Sequence, residues 1–463
     1  MSLLTVQPFK GIYLLGATAF EFARLPLWIF KYLTPYGRQH SNWSFRQALG
    51  MRLFYSLLNH TALVQIKTPL PQTPGKEKDR WIIMTLREEW KELFKGPMLG
   101  DGTGDVIPGD IGGTWYTQKG EKVLTAGDDV ENVLIVLHIH GGAYVTGDGR
   151  TEASGYFASK VLKNTPATHI LAPQYRLSTL PASKTSNPFP AALQDTLTSY
   201  LYLLNELKVP AKNIVLSGDS AGANSAIALL RYISEYGDEL SIPAPGAALL
   251  WSPWIDPSDG SSAVVTSNRN HGTDYLTPSF VTWGHLAYAG LNGPANLQSP
   301  YANAKVKAFG IETPIFVNAG TVELLYDDDK EWVEMMAGVD GNRVWFDEEA
   351  GIPHDVLLVA NLLGFDDEAD AVAKRAGEWL RDPIISQSLM QESNNVYEPA
   401  NLQGASLVVI IVRGKVQNLQ TLVRHFVLDS LAVVIPLRTL TQSKIPASQD
   451  IERLHFNTRN RMP

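Results

Sequence analysis

Gly218-Asp219-Ser220-Ala221-Gly222 sets a serine between two glycines, after the apolar run Asn213–Leu216 and before the helix-forming run Ala223–Leu230. A strand that turns sharply into a helix at such a serine lifts the hydroxyl to the end of a sheet. The helix N-terminus then favours negative charge developing beside it. This is the chemistry of an activated serine nucleophile; the bland alternative is a glycine-rich structural turn. Upstream, His140-Gly141-Gly142-Ala143-Tyr144 follows the apolar run Val133–Ile139. Adjacent glycines let backbone N–H groups face a tetrahedral oxyanion with no side chain in the way. The expected donors are the amides of Gly142, Ala143 and Ala221, with Gly141 shaping the loop. Tyr144 is expected to line the pocket. Asp219 reads as structural rather than catalytic and is placed with Tyr144 at the edge of the substrate. His138 and His140 share a strand face, but no third ligand is spaced nearby, so neither a metal nor a cofactor is expected.

Strands and helices must alternate to carry these turns. Strands are expected over Val133–His140, His169–Tyr175, Asn213–Gly218, Ala247–Trp251, Pro314–Ala319 and Arg343–Phe346. Several are continuous apolar runs, as in parallel strands buried on both faces. Helices are expected near 153–163, 190–207, 221–236, 327–338, 355–363 and 366–381. The pattern predicts an α/β fold with a doubly wound, mostly parallel sheet. Residues 1–111 read as an N-terminal helical lid region without a strand ladder, with a loop over Asp101–Gly113. Residues 112–382 read as the catalytic domain, and 254–313 as a lid insertion within it. Residues 383–463 do not continue the alternation and read as an appendage, despite the strand-like Ala405–Val412 and the apolar Leu419–Leu437.

With 463 residues, 44% of them hydrophobic and 19% charged, the chain can bury a sizeable core. The net charge of −8 argues against a nucleic-acid partner and suits a small neutral ester or acyl substrate. With no cysteine there is no thiol nucleophile and no disulfide. Residues 9–33 are apolar and aromatic but interrupted by Lys10, Glu21, Arg24, Pro26 and Lys31. The longest uncharged run is too short to span a bilayer, and no basic segment precedes it as in a signal peptide. Two readings follow: a lid helix packed on the domain, or a helix in peripheral contact with a membrane. The expected location is intracellular, cytoplasmic or peripherally attached to a membrane.

His140-Gly141-Gly142-Ala143 together with the serine turn resembles the hormone-sensitive-lipase-type branch of the α/β hydrolases. Tyr175-Arg176-Leu177, Pro188–Asp195 and Ser252-Pro253-Trp254-Ile255-Asp256 are similar to further segments of that branch. The resemblance covers roughly 112–382 and looks closest to stand-alone fungal members, some of which tailor secondary metabolites. It implies the α/β-hydrolase fold with a helical lid, and the chain order nucleophile, acid, histidine. The histidines after residue 323 are His354, His425 and His455. His354 follows the last strand, where the branch keeps its general base. The branch pattern Gly-x-x-acid-x-Leu-x-Asp maps onto Gly320, Glu323, Leu325 and Asp327. Glu323 is preferred as the acid, although relatives usually carry Asp there; Asp327 is the alternative, or belongs with Asp328 and Asp329 to an acidic first helical turn.

These residues point to a serine carboxylester hydrolase working through an acyl-enzyme. The same machinery serves acyl transfer or thioester processing of a polyketide-derived product. A non-catalytic small-molecule receptor is the reading from another class: gibberellin receptors share this fold but replace the histidine. Here all three positions are filled, which favours an enzyme.

Overall fold

Leucine- and β-branched runs without polar alternation are satisfied only where both faces of a strand are covered. The computed structural model, which describes residues 3–99, 106–382 and 385, buries those runs in the middle of one sheet. The strands are β1 (Trp81–Met84), β2 (Ile111–Thr117), β3 (Ile135–Ile139), β4 (His169–Gln174), β5 (Ile214–Asp219), β6 (Ala247–Trp251), β7 (Ile315–Gly320) and β8 (Val344–Glu349). Their order is β1-β2-β4-β3-β5-β6-β7-β8. From β4 to β8 all neighbours pair in parallel, while β2 runs antiparallel to both β1 and β4.

Two strands depart from the sequence expectation. β1 lies inside the segment expected to be helical, and β2 starts inside the expected loop, so the catalytic sheet begins at Trp81 rather than at residue 112. β1 is only four residues long. β2 contains Gly112-Gly113, which lowers its strand signal. The pair forms because Gly112 receives the Trp81 indole: a Cβ there would lie 2.0 Å from Trp81 Cζ2.

The helices are α1 (Phe9–Tyr32), α2 (Phe45–Leu63), α3 (Thr151–Asn164), α4 (Ala191–Leu201), α5 (Ala221–Leu240), α6 (Ser262–Ser267), α7 (Pro278–Ala289), α8 (Tyr326–Ala337), α9 (Val356–Leu363) and α10 (Asp366–Leu380). The expected helix 190–207 stops being α-helical at Leu201 and continues as a π turn over Tyr202–Glu206. α3, α9 and α10 pack together, as do α4 and α5. The cap is built from both expected lid segments: α1 packs on α2, α2 on α7 and α9, and α6 on α7. α2 starts at a reciprocal Ser44–Gln47 capping box. Before it, Trp43 Nε1 donates to Gly351 O at 2.7 Å, fastening the cap to the loop that carries His354.

The segments expected to carry the chemistry sit just past the carboxyl ends of strands, where ligands of doubly wound sheets bind. β3 leads into 140–144, β5 into Ser220, β6 into Ser252, β7 into 321–325 and β8 into 350–355. The expectations for Ala405–Val412, Leu419–Leu437, His425 and His455 lie outside the described residues, as does the expected appendage apart from Ile385.

Candidate active site

Ser220 takes φ 50° and ψ −117°, a conformation that L-residues avoid. Its surroundings hold it there. Ser220 N donates to Trp251 O at 2.9 Å, and Trp254 N and Asn224 N donate to Ser220 O at 2.9 and 3.1 Å. The flanking glycines are required by space. A Cβ on Gly222 would lie 1.9 Å from Ile139 O, and one on Gly218 2.5 Å from Gly222 C. The serine is thus presented at the first turn of the 20-residue helix α5, where the dipole favours an alkoxide.

The glycine-rich loop after β3 lies directly against it. A Cβ on Gly141 would sit 2.2 Å from Asp219 Oδ2 and 3.0 Å from Ser220 Cβ. Gly142, Ala143 and Tyr144 follow at φ 104°, 51° and 63°, turning the backbone so that the Gly142 and Ala143 amides donate to no protein acceptor among the described residues. Tyr175 Oη donates to His140 O at 2.9 Å, and its ring stacks on His140 at 4.2 Å. Arg176 N and its guanidinium hold the buried Asp195 carboxylate at 2.7–3.0 Å. The Tyr175-Arg176-Leu177 and Pro188–Asp195 segments therefore meet to brace this loop.

Tyr144 and Asp219, placed against substrate from the sequence, both belong to the scaffold. Tyr144 is fully buried, donates to Asn224 Oδ1 at 2.7 Å and stacks on Tyr288 at 3.8 Å. Asn224 in turn donates to Trp254 O and Ala302 O. Asp219 lies beneath the elbow with His138 Nε2 at 3.2 Å from Oδ1. Burial opposes its ionisation, but the His138 hydrogen bond and charge outweigh this and hold its pKa down. The Asp355 carboxyl lies against it and is pushed well up by burial, then by the Asp219 charge.

Glu323 and His354 are brought together, with Nδ1 and Oε2 3.8 Å apart and both side chains buried. Asp327 is elsewhere: it is 58% exposed and forks onto Arg269 at 2.6 and 2.9 Å. Burial lowers the His354 pKa to about 3, so the resting imidazole is neutral, the form a general base needs. Burial pushes Glu323 up to about 8, against the hydrogen bond from Ser252 Oγ that favours its charged form. Asp329, also fully buried, is driven well up by burial and then by the neighbouring Glu323 carboxyl.

The model of the alpha/beta hydrolase fold family matches residues 136–358. The acetyl-hydrolase of Streptomyces hygroscopicus is 31% identical over 244 residues, which are 52% of this chain and 73% of that protein. The chain belongs to the alpha/beta hydrolase fold family. An esterase of Acinetobacter venetianus is 25% identical over 225 residues of this hydrolase, 48% of it and 66% of the relative. Among solved structures, an esterase of Pyrobaculum calidifontis matches with a TM-score of 0.50 at 17% identity, over 72% of this chain and 94% of that one. That likeness speaks for the fold alone. With these relatives the hydrolase stands among the carboxylester hydrolases.

Three residues of the hydrolase's site escape the sequence reading. Ser252 Oγ donates to Glu323 Oε2 at 2.6 Å and accepts from Asp355 N at 3.0 Å, clasping the acid loop to the histidine loop. Asp329 reads in sequence as one of three acids in a first helical turn. Asp274, from the lid insertion, accepts from the backbone N–H groups of Leu324, Leu276 and Tyr275, and burial raises its pKa to about 6. A cavity of about 170 Å³ adjoins the oxyanion loop, lined by Gln65, Leu70, Val145, Leu177, Leu180 and Trp283. Among the described residues no cluster of His, Asp and Glu is arranged to hold a metal.

Proposed function

We propose that the hydrolase cleaves a carboxylic ester through an acyl-enzyme, with Ser220 as nucleophile, His354 as general base and Glu323 as the acid that orients the imidazole. His354 Nε2 takes the Ser220 proton as Oγ attacks the carbonyl carbon. The amides of Gly142, Ala143 and Ala221 receive the oxyanion, each donor contributing about 3 kcal/mol at the transition state. The tetrahedral adduct collapses, the C–O bond to the alcohol breaks, and the imidazolium returns its proton to the leaving oxygen. Water activated by His354 then attacks the acyl-serine and releases the acid. Glu323 stabilises the imidazolium that forms in each half.

The observation that carries this reading is the strained backbone of Ser220, φ 50°, beside a glycine with no room for a Cβ. Strain of this kind costs about 1–3 kcal/mol and persists where surrounding structure enforces it. A relative named as an acetyl-hydrolase supports a short acyl group as the first substrate to try. A tailoring step on a secondary metabolite is supported only by the resemblance to fungal members. The test is p-nitrophenyl acetate turnover by wild type and Ser220→Ala, with circular dichroism of both. Loss of turnover in a folded variant is expected, and full turnover by folded Ser220→Ala would exclude the mechanism.

A further inference from the structure

A surface helix of a soluble domain buries its apolar stripe and turns its charges to water. Helix α1 does the reverse. Of its four charged residues, Lys10, Glu21 and Arg24 face α2 or flank it, and the exposed Lys31 lies in the last turn. Lys10 Nζ donates to Gln65 O at 3.3 Å, and Glu21 Oε1 meets Arg24 and His60 at 3.2 and 3.4 Å. Tyr13 Oη meets His60 Nδ1 at 2.8 Å, and the Arg52 guanidinium lies 4.5 Å from the Trp28 ring. On the opposite side Ile12, Leu15, Ala19, Phe22, Pro26 and Phe30 recur every three or four residues, which makes one stripe. Ile12, Leu15, Phe22 and Phe30 are 64%, 75%, 70% and 79% exposed, and no charged residue joins them between Phe9 and Phe30.

We propose that α1 docks the enzyme on a lipid bilayer, lying in the plane of the interface with this stripe in the acyl region. The helix has 24 residues, a rod of about 36 Å, and an 18-residue window of it has a mean hydropathy of 1.2, enough by length and composition alone to cross a membrane. A protein partner would be met by a polar rim and directional hydrogen bonds; this stripe presents neither over its whole length. Lys31 Nζ and Arg24 Cζ lie 5.7 and 4.7 Å from the Trp28 ring, an aromatic and basic edge of the kind that sits at headgroup level. The helix is held lengthwise on α2 from Lys10 to Trp28. One side therefore faces lipid while the charged side stays on the protein, an arrangement that a spanning helix would break. α2 connects this surface to the site: Phe54 lies 4.9 Å from Tyr275, whose ring is 5.6 Å from His354. Docking would thus favour esters dissolved in the bilayer, a consequence that rests on the proposed hydrolysis as the docking itself does not.

The test sediments the full chain with vesicles of phosphatidylcholine and phosphatidylserine, comparing wild type with the double variant Phe22→Glu/Phe30→Glu. Wild type is expected to pellet with vesicles and be released by sodium carbonate. The double variant is expected to stay in the supernatant, with unchanged turnover of water-soluble p-nitrophenyl acetate. The proposal is overturned if wild type stays in the supernatant, or if the variant pellets equally. Resistance to carbonate would also overturn it, since that marks a spanning helix. So would a variant that differs from wild type only in losing a dimer, since the stripe then meets a second copy of this chain. If neither protein turns over the ester, the vesicle result is still readable and only the hydrolytic reading fails.

Discussion

Ser252 Oγ donates to Glu323 Oε2 at 2.6 Å while accepting from the backbone N–H of Asp355 at 3.0 Å. One hydroxyl thus sets the distance between the loop that follows β7 and the loop that follows β8. Ser252→Ala removes the buried hydrogen bond to the Glu323 carboxyl and leaves the Asp355 amide unpaired, about 1–3 kcal/mol of local interaction. The expected outcome is a drop in kcat of about tenfold or more with KM nearly unchanged, measured on a soluble ester. A variant with wild-type kcat shows that the clasp does not position the acid.

The two carboxylates of the Gly320–Asp327 stretch separate by mutation. Glu323→Gln keeps the shape but removes the ionisable carboxyl facing His354, and kcat is expected to fall by about 10⁴-fold, as when a triad acid is replaced by its amide. Asp327→Asn removes an exposed pair with Arg269 and is expected to leave kcat unchanged, with stability altered by less than about 1 kcal/mol. Steady-state kinetics of the two variants decide it; the reverse ranking assigns the acid to Asp327.

Gly141→Ala tests the oxyanion loop. Its Cβ would enter within 2.2 Å of Asp219 Oδ2 and 3.0 Å of Ser220 Cβ, so the loop must shift. Displacing even one donor costs about 10²–10³ in kcat. Retained kcat in Gly141→Ala would mean that the amides on this loop do not hold the oxyanion.

Burial also makes stability depend on pH through His354. Its folded pKa is held down to about 3, whereas an unfolded histidine titrates near about 6.5. Between those values the unfolded chain takes up a proton that the fold refuses. The contribution is therefore present above pH 6.5 and is lost as pH falls through the window. Glu323, Asp329 and Asp355, pushed upward, act in the opposite sense, so wild type alone does not isolate the histidine. Thermal midpoints of wild type and His354→Gln should diverge in favour of the variant between pH 7 and pH 5. A difference that stays constant over that range contradicts the burial argument.

Much of this site was legible because its chemistry needs rare local sequence. Glycines on both sides of a serine, and a pair of glycines after a buried strand, are demanded by backbone geometry and read without knowledge of tertiary contacts. The histidine and acid loops could be placed because parallel strands put their carboxyl ends on one edge. What could not be read is what depends on distant partners. Nothing local marks Ser252 as a clasp or Asp274 as an acceptor for the Leu324 amide; both roles exist only once the segments after β6 meet the acid and histidine loops. Asp329 looked like a helix-start acid because the dipole argument explains it equally well, and only burial beside Glu323 distinguishes the two. Asp219 borders the nucleophile in sequence and Tyr144 follows the paired glycines, but packing turns both inward. β1 was missed because it has only four residues, and β2 because Gly112-Gly113 weakens its strand signal.

The central claim is that Ser220 is a nucleophile activated within this fold. It is tested most directly by treating the folded chain with a fluorophosphonate and locating the adduct by mass spectrometry of its peptides. Stoichiometric labelling confined to the peptide bearing Ser220, abolished in His354→Ala and Ser220→Ala, is the predicted result. Labelling at another residue, or none on a correctly folded wild-type chain, would contradict the account.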